Sequence, residues 1–343
     1  MKIYFPNRVV AQPTGGNSTY AHELRRGLQA LGVQVGVIPG RAGSALSPMT
    51  ESVFGLLPLG ADSVLHYSAD TGPLVRSMVP SVVTVHGVAS RWIDVARTPG
   101  QESRWRFRVS RALASVDRVI TVSESSANDV ASVFNVERGR ITVIPHGVDH
   151  EKLGKPTRIS DAIARLLPSR FVLYLGNIEP RKNLVELVRA FQVPEIRRSG
   201  VKLVIAGRRA WNFNESMDAI LASDQVSYLD YVSDSDRVAL MQSAELFVFP
   251  SLYEGFGMPV LEALAAGTPV VSSDRGALAE ISGPAKVISD LTGSGIAAAI
   301  LDGLSDSNWR SEIRVTGPEW ARRFSWSTSV DAHLAEYTAA RQR

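Results

Sequence analysis

The sequence predicts two α/β domains, each built around a doubly wound parallel sheet. Short apolar runs alternate with helix-length segments along nearly the whole chain, which is typical of consecutive β-α-β units. The alternation occurs twice and is interrupted once, at 150–169, by a stretch that contains Gly154, Pro156 and Pro168. The length of 343 residues is enough for two domains with a core each.

The strands are predicted from apolar runs of four to six residues. In the first half they lie at 2–5, 33–38, 63–67, 81–85, 118–122 and 140–144, with helices expected at 18–31 and 102–114. In the second half they lie at 171–175, 201–206, 226–229, 245–249 and 268–272. The run at 171–175 is apolar throughout, as expected of a strand that is covered on both faces. We therefore expect domains at 1–155 and 156–326, followed by a helix in 327–343.

Composition excludes several classes of protein. The chain has no Cys, which excludes disulfides and thiolate chemistry and fits a reducing compartment. The first residues form too short an apolar run for a signal peptide, and no stretch reaches the roughly 20 apolar residues that span a bilayer. A net charge of +3 is too small to indicate nucleic-acid binding. A cytoplasmic protein without a nucleic-acid partner is expected.

The segment from Glu254 to Glu262 is the most informative part of the chain. It predicts a turn loosened by Gly255 and Gly257 that leads into a helix, with Glu262 in the second turn of that helix. Backbone N–H groups at a helix N-terminus suit an anion such as a diphosphate. Carboxylates on either side of such a loop suit hydrogen bonds from the hydroxyl groups of a sugar.

The pattern Glu-Gly-Phe-Gly-x-Pro-x-x-Glu resembles the signature of the retaining glycosyltransferases of family 4, which have the two-domain GT-B fold. The resemblance implies two Rossmann-like domains that face a cleft, with a C-terminal helix that returns to the first domain. It implies that 1–155 binds the acceptor and 156–326 the nucleotide sugar. By motif position Glu254 would contact the donor sugar and Glu262 the ribose hydroxyls, with Gly255, Phe256 and Gly257 also on the donor.

Two further loops resemble anion-binding loops of the same family. Gly15 and Gly16 precede the first long helix, and in the family a Gly-Gly pair lines the site near the donor phosphates; a tight turn is the alternative reading. Arg181 and Lys182 follow the first strand of the second half, and in the family they neutralise the diphosphate. Cations are normally disfavoured at a helix N-terminus, so this pair calls for an anionic ligand.

Three other positions are weaker candidates. Gly207 ends a predicted strand and would admit the donor, although an ordinary turn glycine explains it equally well. His86 ends the strand at 81–85, and family members carry a His here close to the transferred sugar. Many of them have Asp next, whereas this chain has Gly87. Asp234 and Asp236 have Asp-x-Asp spacing, but helix capping by Asp234 or Ser235 is the better interpretation, and no catalytic metal is expected.

The predicted function is metal-independent transfer of a hexose, with retention, from a nucleotide sugar to a hydroxyl of a glycan or lipid-linked acceptor. GDP-mannose is the favoured donor because the Pro-Arg-Lys-Asn loop resembles that of bacterial mannosyl- and rhamnosyltransferases, and no other cofactor is expected. A non-catalytic nucleotide-sugar-binding subunit and a nucleotide-sugar epimerase stay open as alternatives. The basic and aromatic helix around Arg104, Arg108 and Arg111 leaves peripheral contact with an anionic membrane surface open as well.

Overall fold

The computed structural model describes residues 1–12, 15–40, 46–93 and 97–342, and its contacts divide them into two compact units. The first unit comprises Met1–Gly147 together with the chain from Phe324 onward, and the second comprises Val148–Arg323. The sequence-based division lay near residue 155. The interruption predicted at 150–169 contains two short helices. Among the described residues, no helix is both long and apolar enough to cross a membrane.

The first unit contains a parallel sheet of six strands, counted over the described residues, in the order β2-β1-β3-β4-β5-β6. The strands are β1 Lys2–Pro6, β2 Gln34–Ile38, β3 Ser63–Tyr67, β4 Ser81–Val85, β5 Arg118–Thr121 and β6 Ile141–Val143. The helices before Gly147 are α1 Asn7–Val10, α2 Gly16–Ala30, α3 Ser47–Gly55, α4 Pro99–Ser115 and α5 Glu124–Phe134.

The second unit has a parallel sheet of the same size within the described chain, in the order β12-β11-β10-β7-β8-β9. Its strands are β7 Phe171–Leu175, β8 Lys202–Ala206, β9 Val226–Tyr228, β10 Leu246–Phe249, β11 Val270–Ser273 and β12 Lys286–Ile288. Its helices are α6 His150–Gly154, α7 Asp161–Ala164, α8 Leu184–Ala190, α9 Pro194–Ser199, α10 Asn214–Ala222, α11 Asp234–Ser243, α12 Met258–Ala265, α13 Leu278–Ile281, α14 Gly293–Ser305 and α15 Ser307–Ala321.

The last helix, α16 Trp326–Ala340, belongs to the first unit. It packs against α2, and a methyl group on Gly27 of α2 would lie 2.5 Å from Val330 of α16. Tyr337 and Val330 join a buried cluster with Tyr20, Leu24 and residues of β1, β3, β4 and β5 on one face of the sheet. Helices α4 and α5 contribute to the cluster on the other face. The predicted return of this helix to the first sheet is therefore confirmed.

All eleven predicted strands are present, each within two residues of its predicted bounds. The prediction missed β12, an edge strand in which Ile288 alone is buried. A three-residue strand with one buried side chain has almost no apolar run, so periodicity does not detect it.

Candidate active site

The second sheet places the predicted donor loops at a topological switch point. Its first strand, β7, lies between β8 on one side and β10 on the other, so the strand order reverses between β7 and β10. Open α/β sheets bind ligands at the carboxyl ends of the strands at such a point. The loop with Arg181 and Lys182 follows β7, and the loop with Glu254 follows β10. The backbone N–H of Leu252 donates to the carbonyl of Arg181 at 2.9 Å, which ties the two loops together.

Arg181, Lys182 and Glu254 form one buried ionic cluster. One carboxylate oxygen of Glu254 accepts from Arg181 Nη1 at 2.6 Å, and the other accepts from Lys182 Nζ at 2.5 Å. Arg181 also donates to Glu179 at 2.6 Å and to the carbonyl of Tyr253 at 2.8 Å. The structure therefore brings together three of the predicted site residues, and it adds Glu179 as a second carboxylate.

The pKa values of this cluster reflect burial on one side and the charges of its members on the other. Burial would raise the pKa of Glu254, but the charges of Arg181 and Lys182 outweigh it and lower that pKa to about 2. Burial opposes the charge of Arg181, yet Glu254 and Glu179 raise its pKa. Burial, helped by the charge of Arg181, lowers the pKa of Lys182. The positive charges of two cations and the negative charges of two carboxylates thus cancel within the cluster.

The sequence suggested that Arg181 and Lys182 lie at the start of a helix, and the structure differs. They lie in a short 3-10 turn, Pro180–Lys182, and Asn183 separates it from α8 with a φ of 58°. Asn183 adopts the left-handed conformation and donates its side-chain amide to the carbonyl of Leu291 at 2.9 Å. From this turn both cations reach Glu254.

Helix α12 is present as predicted, and it begins at Met258, directly after Gly257. Gly257 has a φ of 105°, which a residue with a side chain rarely adopts, and a methyl group there would lie 2.6 Å from Leu278. Phe256 is buried, and Gly255 is partly exposed. Glu262 lies in the second turn of α12, where its carboxylate accepts from Arg237 of α11.

Gly207 has a structural explanation that does not need a ligand. A methyl group at this position would overlap the carbonyl oxygen of Gly176, because the loops after β7 and β8 approach each other closely. Its N–H donates to the carbonyl of Asp230 at 2.8 Å. The packing of two neighbouring loops therefore requires a glycine here.

His86 lies at the carboxyl end of β4 in the first unit, as predicted. Its Nε2 is 3.0 Å from the carbonyl of Ser68, so this nitrogen carries the proton. Its backbone N–H donates to Asp70 at 2.7 Å. Burial lowers the pKa of His86, and the charge of Asp70 opposes this shift. An Asp thus approaches His86, but it comes from the loop after β3 and holds the backbone of His86.

His86 belongs to a buried cluster of histidines around Tyr20. The ring of Tyr20 packs against those of His86 and His146, with centroids 4.9 and 5.0 Å away. Its hydroxyl lies 2.6 Å from His333 Nε2 and 2.9 Å from Thr84 Oγ1. Thr84 in turn lies 2.8 Å from His66 Nε2, whose Nδ1 is 2.7 Å from the hydroxyl of Tyr337. The cluster connects β3, β4, α2 and α16, and sequence periodicity gave no signal for it.

Gly15 and Gly16 open helix α2, while Pro13 and Thr14 of the same predicted loop lie outside the described residues. Gly15 is the N-cap of this 15-residue helix. A methyl group on either glycine would meet no atom of the described residues within 4 Å. Packing inside the protein therefore does not require a glycine at position 16.

Replacing Gly16 with alanine provides a test of this loop. Alanine has the higher helix propensity and the space around it is open, so thermal stability is expected to stay within about 1 kcal/mol of the wild type. If a ligand uses the open space, the added methyl group raises the KM for that ligand several-fold. Thermal unfolding and steady-state kinetics check both parts. An unchanged KM for donor and acceptor would favour the tight-turn reading.

The Asp-x-Asp segment is a helix start, but the capping residue differs from the predicted ones. Ser233 is the N-cap of α11, and its hydroxyl accepts from the N–H of Asp236 at 3.0 Å. Asp234 lies in the first turn and pairs with Arg237. The serine before the predicted cap takes its place because its side chain reaches the third N–H of the helix. The described residues contain no group of three or more His, Cys, Asp and Glu that could hold a metal ion.

Sequence reasoning missed several residues that contact the predicted ones. Glu179 pairs with Arg181, and Arg237 pairs with Glu262. Asp70 accepts the backbone N–H of His86. Glu179 and Asp70 both follow predicted strands closely, which is a signal that could have found them. Arg237 lies in the middle of the chain's second half, and nothing in its spacing indicates that it reaches Glu262.

Two doubly wound sheets, with an ionic cluster and a glycine-loosened helix start at the switch point of the second, define the GT-B class of glycosyltransferases. A model described as "Glycosyl transferases group 1" matches residues 157–320, and one described as "Glycosyltransferase Family 4" matches residues 58–152. The chain therefore belongs to the GT-B glycosyltransferases of family 4. The resemblance carried by Glu254 and Glu262 is confirmed.

The proteins similar to this chain include two mannosyltransferases and, among solved structures, a sucrose-phosphate synthase. The O-antigen chain mannosyltransferase B of Escherichia coli is 32% identical over 66% of this chain and 61% of its own length. The GDP-mannose:cellobiosyl-diphosphopolyprenol alpha-mannosyltransferase of Xanthomonas campestris is 30% identical over 99% of this chain and 88% of its own length. The sucrose-phosphate synthase of Thermosynechococcus elongatus shares the fold, with a TM-score of 0.76, 21% identity and 98% coverage of both chains.

Proposed function

We propose that this protein transfers a hexose, with mannose favoured, from a nucleoside-diphosphate sugar to a hydroxyl of a glycan or lipid-linked acceptor. The ionic cluster of Arg181, Lys182 and Glu254 at the switch point of the second sheet carries the proposal. The mannosyltransferase names of the E. coli and X. campestris relatives support mannose, and the second name supports GDP-mannose as the donor.

The chemistry follows from the charges of the cluster. As the bond between the sugar C1 and the donor phosphate breaks, negative charge builds up on the leaving diphosphate. Arg181 and Lys182 stabilise that charge without a metal, and the N–H groups at the start of α12 assist them. Before the donor binds, Glu254 holds both cations in place. When the donor binds, its diphosphate also contacts the two cations, and Glu254 becomes available to orient the sugar.

The transfer proceeds with retention in this proposal. The acceptor hydroxyl attacks C1 on the face from which the diphosphate leaves, and the leaving phosphate oxygen takes the hydroxyl proton. Glu262 holds the ribose hydroxyls of the donor. His86 belongs to the first unit. No step requires a metal or another cofactor.

The experiment that tests the donor site is calorimetric titration of GDP, UDP, TDP and ADP in EDTA. We expect one nucleotide to bind selectively, with GDP favoured, and Glu262→Ala to weaken it by about 10- to 100-fold, the range for a hydrogen bond to a charged group. Glu312→Ala is the matched control, because Glu312 is an exposed glutamate of α15. Equal binding to wild type and Glu262→Ala would contradict the assignment.

Turnover then separates a transferase from a non-catalytic binding subunit. Wild-type protein with the selected nucleotide sugar should release nucleoside diphosphate only when an acceptor is present, and the product should keep the anomeric configuration of the donor. Proton NMR of the product reads that configuration. An inverted product would overturn the proposal of retention.

A further inference from the structure

The first unit has a switch point of its own, and a pocket lies beside it. Strand β1 lies between β2 and β3, so the order of the sheet reverses there. The pocket has a volume of about 270 Å³ and is lined by α1, the first turn of α2, the loop after β3 and one face of α4. The lining residues are Arg8, Val9, Gln12, Asn17, Ala69, Asp70, Thr71, Trp105 and Arg108. This volume is slightly below the roughly 300–1,000 Å³ of pockets for drug-sized ligands, so it suits a small polar group.

Two guanidinium groups converge on one hydroxyl in this pocket. Arg8 donates to the hydroxyl of Thr71 at 3.1 Å and to its carbonyl at 2.9 Å. Arg108 donates to the same hydroxyl at 3.3 Å. The Nε of Arg108 is buried and has no hydrogen-bond partner among the described residues. A buried donor without a partner costs free energy, so Arg108 is incompletely satisfied in the unliganded protein.

The carboxylates nearby do not neutralise Arg108. Glu51 is fully buried, and its Oε1 accepts from Arg8 Nε at 2.5 Å. Asp70, the carboxylate among the lining residues, accepts the backbone N–H of His86 at 2.7 Å. Burial lowers the pKa of Arg108, and the positive charge of Arg8 lowers it more than Glu51 raises it. Neither carboxylate forms an ion pair with Arg108 among the described residues.

We propose that this pocket binds a phosphate group of the acceptor, held by Arg108 and Arg8 with the hydroxyl of Thr71. Two guanidinium groups that approach from different elements match the several oxygens of a phosphate. Trp105 supplies a flat apolar wall for the ring of the sugar next to the phosphate. The pocket lies beside the Gly15-Gly16 helix start through Gln12 and Asn17. The assignment to an acceptor rests on the proposed function, whereas the affinity for phosphate does not.

Inorganic pyrophosphate is the probe for the pocket itself. Calorimetric titration is done with the donor site saturated by whichever nucleoside diphosphate the protein binds, or without one if none binds. We expect pyrophosphate to bind wild type, Arg108→Gln to weaken it by about 10- to 100-fold, and Arg108→Lys to recover part of the loss. Arg104→Gln is the matched control, because Arg104 is exposed one turn earlier on α4 and donates to the carbonyl of Gly100.

Each outcome of the titration decides the proposal. Undetectable binding to the wild type, equal affinity in Arg108→Gln, or equal losses in Arg104→Gln and Arg108→Gln would overturn it. A folding defect is recognised by thermal unfolding, and the partial recovery in Arg108→Lys separates a charge effect from such a defect. If pyrophosphate binds as expected but no nucleotide does, the proposed function fails while the phosphate site stands.

Kinetics identify the source of the phosphate. Arg108→Gln should raise the KM for a phosphate-bearing acceptor at least 10-fold and leave the donor KM within two-fold. A neutral glycoside acceptor should show no such difference. A soluble sugar phosphate and a lipid-linked diphosphate sugar in detergent are compared, and turnover of either one with this Arg108 dependence supports the site. An equal KM change for neutral and phosphorylated acceptors would overturn it.

Discussion

Replacing Glu254 with glutamine is expected to destabilise the second unit by about 3–5 kcal/mol, the range for removing one partner of a buried ion pair. The substitution keeps the shape of the side chain but leaves Arg181 and Lys182 with Glu179 alone, in a site where Glu254 is 6% exposed. Because Lys182 and Glu254 are buried and Arg181 is only 19% exposed, solvent can replace little of the lost charge. Under the proposed function the same change also lowers kcat by two orders of magnitude or more, because the sugar loses a carboxylate that orients it.

Glu245 provides the matched control at the other end of the same strand. It precedes β10, whereas Glu254 follows it, and it pairs with Arg170 at 2.6 Å. The side chain of Arg170 is 50% exposed, so Glu245→Gln should cost at most about 1 kcal/mol. Urea unfolding followed by hydrogen exchange in β7 and β8 reports the stability of the second unit. Similar losses for the two variants would show that the cluster does not stabilise this unit as argued.

Acidification from pH 7 to pH 5 is expected to destabilise the first unit, with about 2 kcal/mol from His333 alone. Burial lowers the pKa of His333 to about 4, against an ordinary value of 6.5. Between these two values the unfolded chain binds a proton that the folded chain does not. Stability is therefore complete above pH 6.5, falls as the pH is lowered, and levels off below about pH 4. Burial lowers the pKa values of His66 and His146 as well, so the total loss exceeds that of one histidine.

The hydrogen bonds of the cluster explain why protons are excluded. His333 Nδ1 lies 2.6 Å from the carbonyl of Ser329 and must donate to it, so its Nε2 accepts from the hydroxyl of Tyr20. If that Nε2 were protonated, it could no longer accept the hydrogen bond from Tyr20, and two donors would then face each other. His333 therefore fits the network in its neutral form.

Hydrogen exchange in β3 and β4 at pH 7 and pH 5 measures this effect in the first unit. His333→Gln should reduce the pH dependence of the stability of the first unit. It also lowers the stability at neutral pH, because the hydrogen bonds of His333 are lost. His22→Gln, at an exposed position of α2, should leave the pH dependence as in the wild type. Equal protection of β3 and β4 at both pH values would refute the prediction.

Most of the fold could be predicted because buried parallel strands have nearly continuous apolar sequences. Strand β7 is buried at every position and was predicted with its observed bounds. The three-residue strand β12 and the short helices after β6 bury few side chains, so they have no such pattern. Their positions depend on contacts with distant parts of the chain.

The site was predictable where a local motif carries the chemistry and not where side chains meet from distant segments. Glu254 was predicted from the Glu-Gly-Phe-Gly-x-Pro-x-x-Glu motif, and Arg181 and Lys182 from the Pro-Arg-Lys-Asn loop after a strand of the same sheet. The pairing of Glu262 with Arg237, 25 positions away, and the convergence of Arg8 and Arg108 on Thr71 have no local signature. The histidine cluster joins residues as far apart as Tyr20 and His333, and only the folded chain brings them together.

The position of α16 has a consequence for synthesis on the ribosome. The second unit is one continuous stretch, Val148–Arg323, so it can fold as soon as it has left the exit tunnel. The first unit begins earlier but lacks Val330, His333 and Tyr337 until α16 has been translated. At elongation rates of about 5–20 residues per second, its sheet waits on the order of 10 to 40 s with the Tyr20 face of its core uncovered. The earlier-translated unit is thus the later one to complete its core, and its apolar face stays open to aggregation until α16 has been made.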